Sequence, residues 1–269
     1  MSVKEKLKFL TRLRSKLYGN STKGVYDTPF GKMRLNRNKY LDRQIIETGY
    51  FEKNSVDCFK RLIGKNEIVL DIGANIGFFT LMFSRLVGDQ GVVVAFEPTN
   101  RYYSELIFNI ELNELRNCTV EKIGLSSSSS EKTIFVGDSS ATIHYTNDDI
   151  DSRPREIIKL KSLDQYLADS SLSKVDFIKV DIDGHEPEFL VGAMNSIQEY
   201  HPKMYLEISQ DHYYKAGHNA IDFYDYLKDN GFYVYDENGL IEYPNKREYL
   251  LKCANFTFSR NVLISLDRI

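Results

Sequence analysis

A chain of 269 residues with 42% hydrophobic and 27% charged side chains has an ordinary globular composition, long enough for one large α/β domain with an appendage. Its 35 basic against 38 acidic residues leave a net charge of -3, which excludes coating of nucleic acid by bulk charge. No apolar run reaches the roughly 20 residues of a membrane-spanning helix, and Cys58, Cys118 and Cys253 lie too far apart for a CxxC zinc cage or a disulfide framework, so reduced thiols and a cytoplasmic location are expected.

Residues 1–66 read as an N-terminal extension. The first 23 carry seven basic side chains against the single acid Glu5, with Val3, Leu7, Leu10, Leu13 and Leu17 at helical spacing. This predicts a basic amphipathic helix that either packs its leucines on its own domain or, through residues 1–20, meets an anionic membrane surface or a protein partner. Residues 24–45 suggest a strand pair turning at Pro29-Phe30-Gly31, and a helix is expected over Ser55–Leu62, stopped by Gly64.

From residue 67 to 269 the pattern is that of an α/β domain. EIVLDIG (67–73), VVVAFEP (92–98), CTVEKIG (118–124), DFIKVD (176–181) and KMYLEIS (203–209) are short, nearly continuous β-type runs, as expected of strands buried on both faces. Helical segments alternate with them, and FYVYD (232–236) and ANFTFS (254–259) are expected to complete a doubly wound, mostly parallel, seven-stranded sheet. The alternation pauses after the serine run 126–130, a polar loop. There KTIFVG, ATIHY and REIIKLK predict a β insertion over 131–161. SLDQYLAD then makes a short helix capped by Ser162, a helix is expected from about Pro187 to Tyr200, and AIDFYDYLKDNG makes another.

The sharpest chemical signal is Asp71-Ile72-Gly73-Ala74-Asn75-Ile76-Gly77, a turn between the first buried strand and its helix. Gly73 and Gly77 allow a tight turn and close approach of a ligand to the main chain. Glu97, at the tip of the second strand, sits where an acid holds both hydroxyls of a ribose. A nucleoside cofactor is therefore expected at the carboxyl end of the sheet. A dinucleotide would bring a pyrophosphate to this loop, and Asp71 would repel it; a sulfonium and an ammonium suit a carboxylate better. The charge favours S-adenosylmethionine over NAD(P).

The fourth strand ends in Asp181-Ile182-Asp183-Gly184-His185-Glu186-Pro187, a corner beside the first strand where ligands bind in open α/β sheets. Two readings stay open. Asp181 or His185 takes the proton of an acceptor hydroxyl, or Asp181, Asp183 and Glu207, with His212 as a further ligand, hold a divalent ion that acidifies it. The metal-free base is preferred, since no spacing here is diagnostic of a metal. His185 also has a bland role as a helix cap. Asp183, Glu207, His212 and Tyr213 are the expected acceptor contacts, and the aromatics Tyr205, Tyr213, Tyr214, Phe223, Tyr224 and Tyr226 offer a sugar-stacking platform or, more simply, core.

The segments VLDIGANIGFFT, VVVAFEPTNRYYSELIFNIELN, KLKSLDQYL and DFIKVDIDGHEPEFLVGA together resemble the FkbM-type methyltransferase family, a branch of the S-adenosylmethionine-dependent class I (Rossmann-like) fold. ETGYFE (Glu47–Glu52) resembles the family's upstream element, and the likeness spans about residues 45 to 210. Asp183 departs from it, since a Glu is commoner there. The resemblance implies O-methylation, often of sugar hydroxyls, with cofactor roles for Asp71, Gly73, Asn75, Gly77 and Glu97 and an active-site role for Asp181 and His185. A small-molecule or glycan acceptor is expected; a non-sugar natural-product hydroxyl, an RNA ribose, or a cofactor-binding subunit that docks a partner are the alternatives. No DPPY or NPPY run and no Pro-Cys nucleophile is present, so DNA is not an expected partner.

Overall fold

The computed structural model describes residues 22–137, 141–144 and 154–269. The basic helix expected at the N-terminus, and the contact surface of residues 1–20, lie outside them; Lys23 already opens the first strand. Strands β1 (Lys23–Thr28) and β2 (Gly31–Asn36) form the expected antiparallel hairpin. Helix α1 (Tyr40–Thr48) then occupies part of the span read as strand, burying Asp42 and Ile45 and ending on Gly49. Helix α2 (Lys53–Leu62) follows as expected, and its apolar face carries Val56, Phe59 and Leu62 inward.

The central sheet has seven strands: β3 (Ile68–Ile72), β4 (Val92–Phe96), β5 (Cys118–Glu121), β10 (Phe177–Val180), β11 (Lys203–Ile208), β12 (Tyr233–Asp236) and β13 (Arg260–Ser265). Their order is β12-β13-β11-β10-β3-β4-β5, with β13 antiparallel to both its neighbours and the pairs β11-β10, β10-β3, β3-β4 and β4-β5 parallel. The order reverses at β3 and β10, so their C-terminal tips flank a topological switch point. Helices α3 (Phe78–Val87) and α4 (Asn100–Leu112) link β3, β4 and β5. Phe59 of α2 packs edge-on against Phe79, Phe83, Phe177 and Tyr205, which welds the N-terminal elements to one face of the sheet.

Four further findings depart from the sequence reading. The last strand is Arg260–Ser265, not 254–259: Phe256 and Phe258 are 62% exposed each, while Val262, Leu263 and Ile264 are buried. A strand flanked on both sides and covered on both faces needs a continuous apolar run, which Val-Leu-Ile supplies and the alternating Asn-Phe-Thr-Phe does not. The insertion is a four-stranded sheet of β6 (Gly124–Leu125), β7 (Ser130–Val136), β8 (Ala141–Thr142) and β9 (Arg155–Lys161), so it begins earlier than residue 131 and takes in Ser130 of the serine run. After α5 (Leu163–Ala168), the helix expected over 187–200 is two, α6 (Glu186–Val191) and α7 (Met194–Tyr200), because the Asp164 carboxylate accepts from the backbone of Ser196 (2.8 Å) and caps a new start. Finally α8 (Gln210–Lys215) and α10 (Lys246–Cys253) flank the expected α9 (Ala220–Asp229). Among the described residues no helix is long and apolar enough to cross a membrane.

Candidate active site

A cleft of about 310 Å³ opens at the C-terminal tips of β3, β4, β10 and β11. Of the residues singled out from sequence, Gly73, Ala74, Asn75, Glu97, Asp181, Asp183, His185 and Glu207 line it. One wall is apolar and comes from the inserted sheet, through Ile134, Ile158 and Leu160.

The loop after β3 is held against its neighbour by Gly73 and Ala74, whose amides both donate to the Phe96 carbonyl at 3.0 Å. Gly73 has φ +75°, and a Cβ there would lie 1.9 Å from the carbonyl oxygen of Asp181. Only glycine lets the tips of β3 and β10 meet this closely. Gly77 does not line the cleft; it precedes α3 and packs beneath Leu106. Glu97 is buried, accepting from the Asn75 amide (3.0 Å), the Thr99 amide (3.0 Å) and the Thr99 hydroxyl (2.7 Å). Burial nonetheless pushes its carboxyl up to about 7, so ribose hydroxyls arriving as donors would favour the ionised form.

Asp71 stands elsewhere than expected. It is fully buried behind the loop and does not line the cleft; Thr80 Oγ1 donates to one oxygen at 2.6 Å and the Lys179 ammonium lies 3.7 Å from the other. Asp71 and Lys179 are direct partners in the β3–β10 ladder, which fixes this pairing. The carboxyls facing a ligand are instead those of Glu52, Glu97, Asp181, Asp183 and Glu207, against one lysine, Lys179, among the described lining residues, and burial pushes Glu52, like Glu97, up to about 7. Burial works against the charge on Lys179, but Asp181, Asp71 and Glu52 outweigh it and hold the ammonium above its ordinary value. An acid-rich cleft with a glycine cradle fits a sulfonium and an ammonium and disfavours a pyrophosphate.

At the corner after β10, Asp181 contacts Lys179 Nζ at 3.3 Å. His185 is 7% exposed, and both its ring nitrogens are engaged: Nε2 with Ser126 Oγ (2.9 Å), Nδ1 with His144 Nε2 (3.2 Å) and, at 3.6 Å, with Glu188. Burial lowers its pKa to about 4, so the ring is neutral at physiological pH. Ser126, which reads as mere loop, and His144 are therefore part of the site; no pattern in the sequence marks them. Asp183 has φ +53°, a left-handed conformation that a short Asp tolerates better than the commoner Glu.

Asp183, Glu207 and His212 each bring a ligand atom within 4.8 Å of the others, so of the expected set Asp181, Asp183, Glu207 and His212 the trio that could hold an ion leaves out Asp181. His212 sits outside the main cleft, its Nδ1 3.4 Å from Asp183. Burial, then Asp181 and Asp183, raise the Glu207 carboxyl well above its ordinary range. Tyr213 is not an acceptor contact: it is fully buried, stacked edge-on against Phe223, with its hydroxyl directed at the Glu207 carbonyl. Tyr205, Phe223 and Tyr224 are likewise core, which leaves Tyr214 as the exposed ring among those buried neighbours. Glu52 of the N-terminal extension, unmarked by any motif argument about catalysis, also faces the cleft.

Residues 71–234, more than half of the chain, match the family model of the methyltransferase FkbM domain. The methyltransferase sdnD of Sordaria araneosa is 27% identical over 183 residues, 57% of this chain and 70% of that protein. Among solved structures, the methyltransferase FkbM from Methylobacillus flagellatus KT aligns with TM-score 0.46 and 17% identity over 74% of this chain, which spans 43% of that one. TYW2 of M. jannaschii, solved in complex with AdoMet, aligns with TM-score 0.47 and 15% identity, covering 92% of this chain and 86% of that one.

Proposed function

Since this chain belongs to the FkbM methyltransferase family, we propose that it is an O-methyltransferase whose acceptor is a sugar hydroxyl of a glycan or glycoside. S-adenosylmethionine, when bound, supplies an electrophilic methyl group carried on a sulfonium. The chain's residues do the rest. Glu97 receives the ribose, the Gly73–Asn75 backbone admits the nucleoside, and the apolar wall of Ile134, Ile158 and Leu160 keeps water from the reacting atoms. Asp181 accepts the acceptor's proton as its oxygen attacks, and Lys179 at 3.3 Å fixes that carboxylate in place. Neutral His185, held by Ser126 and His144, is the second proton acceptor or the part that positions the corner.

The observation that carries the reading is the acceptor-side rim of Asp181, Asp183 and Glu207, a set of carboxyls suited to a neutral polyhydroxyl. They accept from hydroxyls, and Glu207, whose protonated form burial favours, can also donate to one. Between α10 and β13, exposed Phe256 meets exposed Tyr214 of α8 with ring centroids 6.2 Å apart, a surface on which a sugar face can stack. A screen of sugar nucleotides and glycan fragments with isotope-labelled cofactor tests this; incorporation confined to amines or to RNA would overturn it. A second reading, a divalent ion on Asp183, Glu207 and His212 that acidifies the hydroxyl, is favoured by their convergence. Turnover that survives exhaustive chelation rejects it, and turnover abolished by chelation and restored by Mg²⁺ or Mn²⁺ selects it.

A further inference from the structure

The family match begins at Asp71, yet one side of the cleft is closed by a residue upstream of it. Glu52, the residue before α2, has φ 44° and ψ 71°, a left-handed conformation that a side-chain-bearing residue adopts at a cost. Strain of this kind persists where the surroundings over-determine it, and here they do. Ser55 Oγ donates to Glu52 Oε2 at 2.8 Å, and the Tyr205 hydroxyl sits between that Ser55 oxygen (2.8 Å) and a Glu237 carboxylate oxygen. Phe51, the residue before it, packs against Phe79 with ring centroids 6.0 Å apart. The backbone is thus bent to aim a carboxyl into the cleft beside Lys179 and Asp181.

Asp71, Asp181 and Glu52 all draw on one buried ammonium, that of Lys179, which already lies within 3.7 Å of Asp71 and 3.3 Å of Asp181. Burial, then the neighbouring Asp181, push the Glu52 carboxyl up to about 7, so a cation arriving beside it would favour its ionised form. Glu97 marks the ribose end at the tip of β4, and Glu52 lies on the far side of β3 from it, beside β10. Neighbouring strands are spaced about 4.8 Å apart, so a nucleoside anchored at Glu97 that crosses Gly73 brings its amino-acid arm to Glu52.

We propose that Glu52 receives the methionyl ammonium of the bound cofactor, so that the N-terminal extension completes the cofactor pocket. The inference rests on S-adenosylmethionine lying in this cleft. Calorimetric titration of the full chain and of Glu52→Gln with two ligands tests it: S-adenosylhomocysteine, which carries the ammonium, and 5′-methylthioadenosine, which keeps the adenosine and sulfur and lacks the amino-acid arm. A charge-assisted hydrogen bond is at stake, so Glu52→Gln should weaken S-adenosylhomocysteine about tenfold or more. Binding of 5′-methylthioadenosine should stay within about twofold, which also reports that the variant is folded. Equal losses for both ligands, or none for either, overturn the role of Glu52 while leaving the cleft's assignment intact. Failure of the unaltered protein to bind either ligand takes the assignment and the inference down together.

Discussion

Replacing Gly73 by alanine probes the contact on which the cleft is built. A methyl group there would lie 1.9 Å from the Asp181 carbonyl oxygen, where real contacts stay beyond 3.0 Å, so the tip of β10 must retreat. That carbonyl is not free to swing, because the Asp181 amide donates to Ile72 O at 3.1 Å and its side chain is tied to Lys179. The left-handed φ of +75° alone costs an alanine about 1–2 kcal/mol, and relieving the overlap adds about 1–3 kcal/mol. The sum, about 2–5 kcal/mol, is a large part of a typical stability of about 5–15 kcal/mol. Gly217 supplies the control: its φ is +84° and a methyl group there would meet nothing within 4 Å, so Gly217→Ala should show the conformational cost alone. Urea unfolding of the three proteins, paired with S-adenosylhomocysteine titration, separates the two contributions. Gly73→Ala that is no less stable than Gly217→Ala, with cofactor affinity intact, would refute the close approach of β3 and β10.

Asp181→Asn should lower turnover about a hundredfold or more, and lower it further than cofactor affinity; equal losses in both would demote Asp181 to a cofactor contact. His185→Ala should also reduce turnover more than cofactor binding, and unchanged turnover would leave His185 as the part that holds the corner. Glu186, fully buried, has its carboxyl raised by burial from 4.5 to about 8, so the folded chain holds a proton that the unfolded chain releases. Stability of the ligand-free protein should therefore fall as pH rises from about 4.5 towards 8. Glu186→Gln, which keeps an oxygen for the Ile182 amide, should flatten that fall; thermal melts across the window with identical slopes for both proteins would remove Glu186 as the cause.

The parallel core of the sheet was legible because its strands are buried on both faces and read as nearly continuous apolar runs, each broken once, by Asp71 in Ile68–Ile72 and by Lys179 in Phe177–Val180. The same rule points to Val262-Leu263-Ile264 as the last strand, although the alternating aromatics of 254–259 imitate a half-buried one. Helix α10 has a signal in the sequence, Asn245 three residues before Glu248, and the Asn245 side chain accepts from the Glu248 amide at 3.1 Å. Helix α8 is announced more faintly, by Ser209 alone. At the site, the glycine turn and Glu97 could be placed from spacing, because a βα junction presents its loop to the cleft by construction. The direction of Asp71 could not. It depends on Lys179, more than 100 residues away in the chain and beside Asp71 only through strand register. Ser126, His144 and Glu52 were out of reach for the same reason: each enters the site from an element whose docking is decided by tertiary packing.

The fate of the methyl group decides the central question. Incubation with S-adenosylmethionine carrying a ¹³C methyl group and a pool of sugar nucleotides and glycan fragments, followed by carbon–proton correlation spectroscopy, reads that atom directly. The arrangement of Asp181, Glu97 and the acidic rim predicts a new methoxyl signal on a sugar carbon, absent with Asp181→Asn. A labelled methyl on nitrogen or carbon, or an undiminished methoxyl signal with Asp181→Asn, would contradict it.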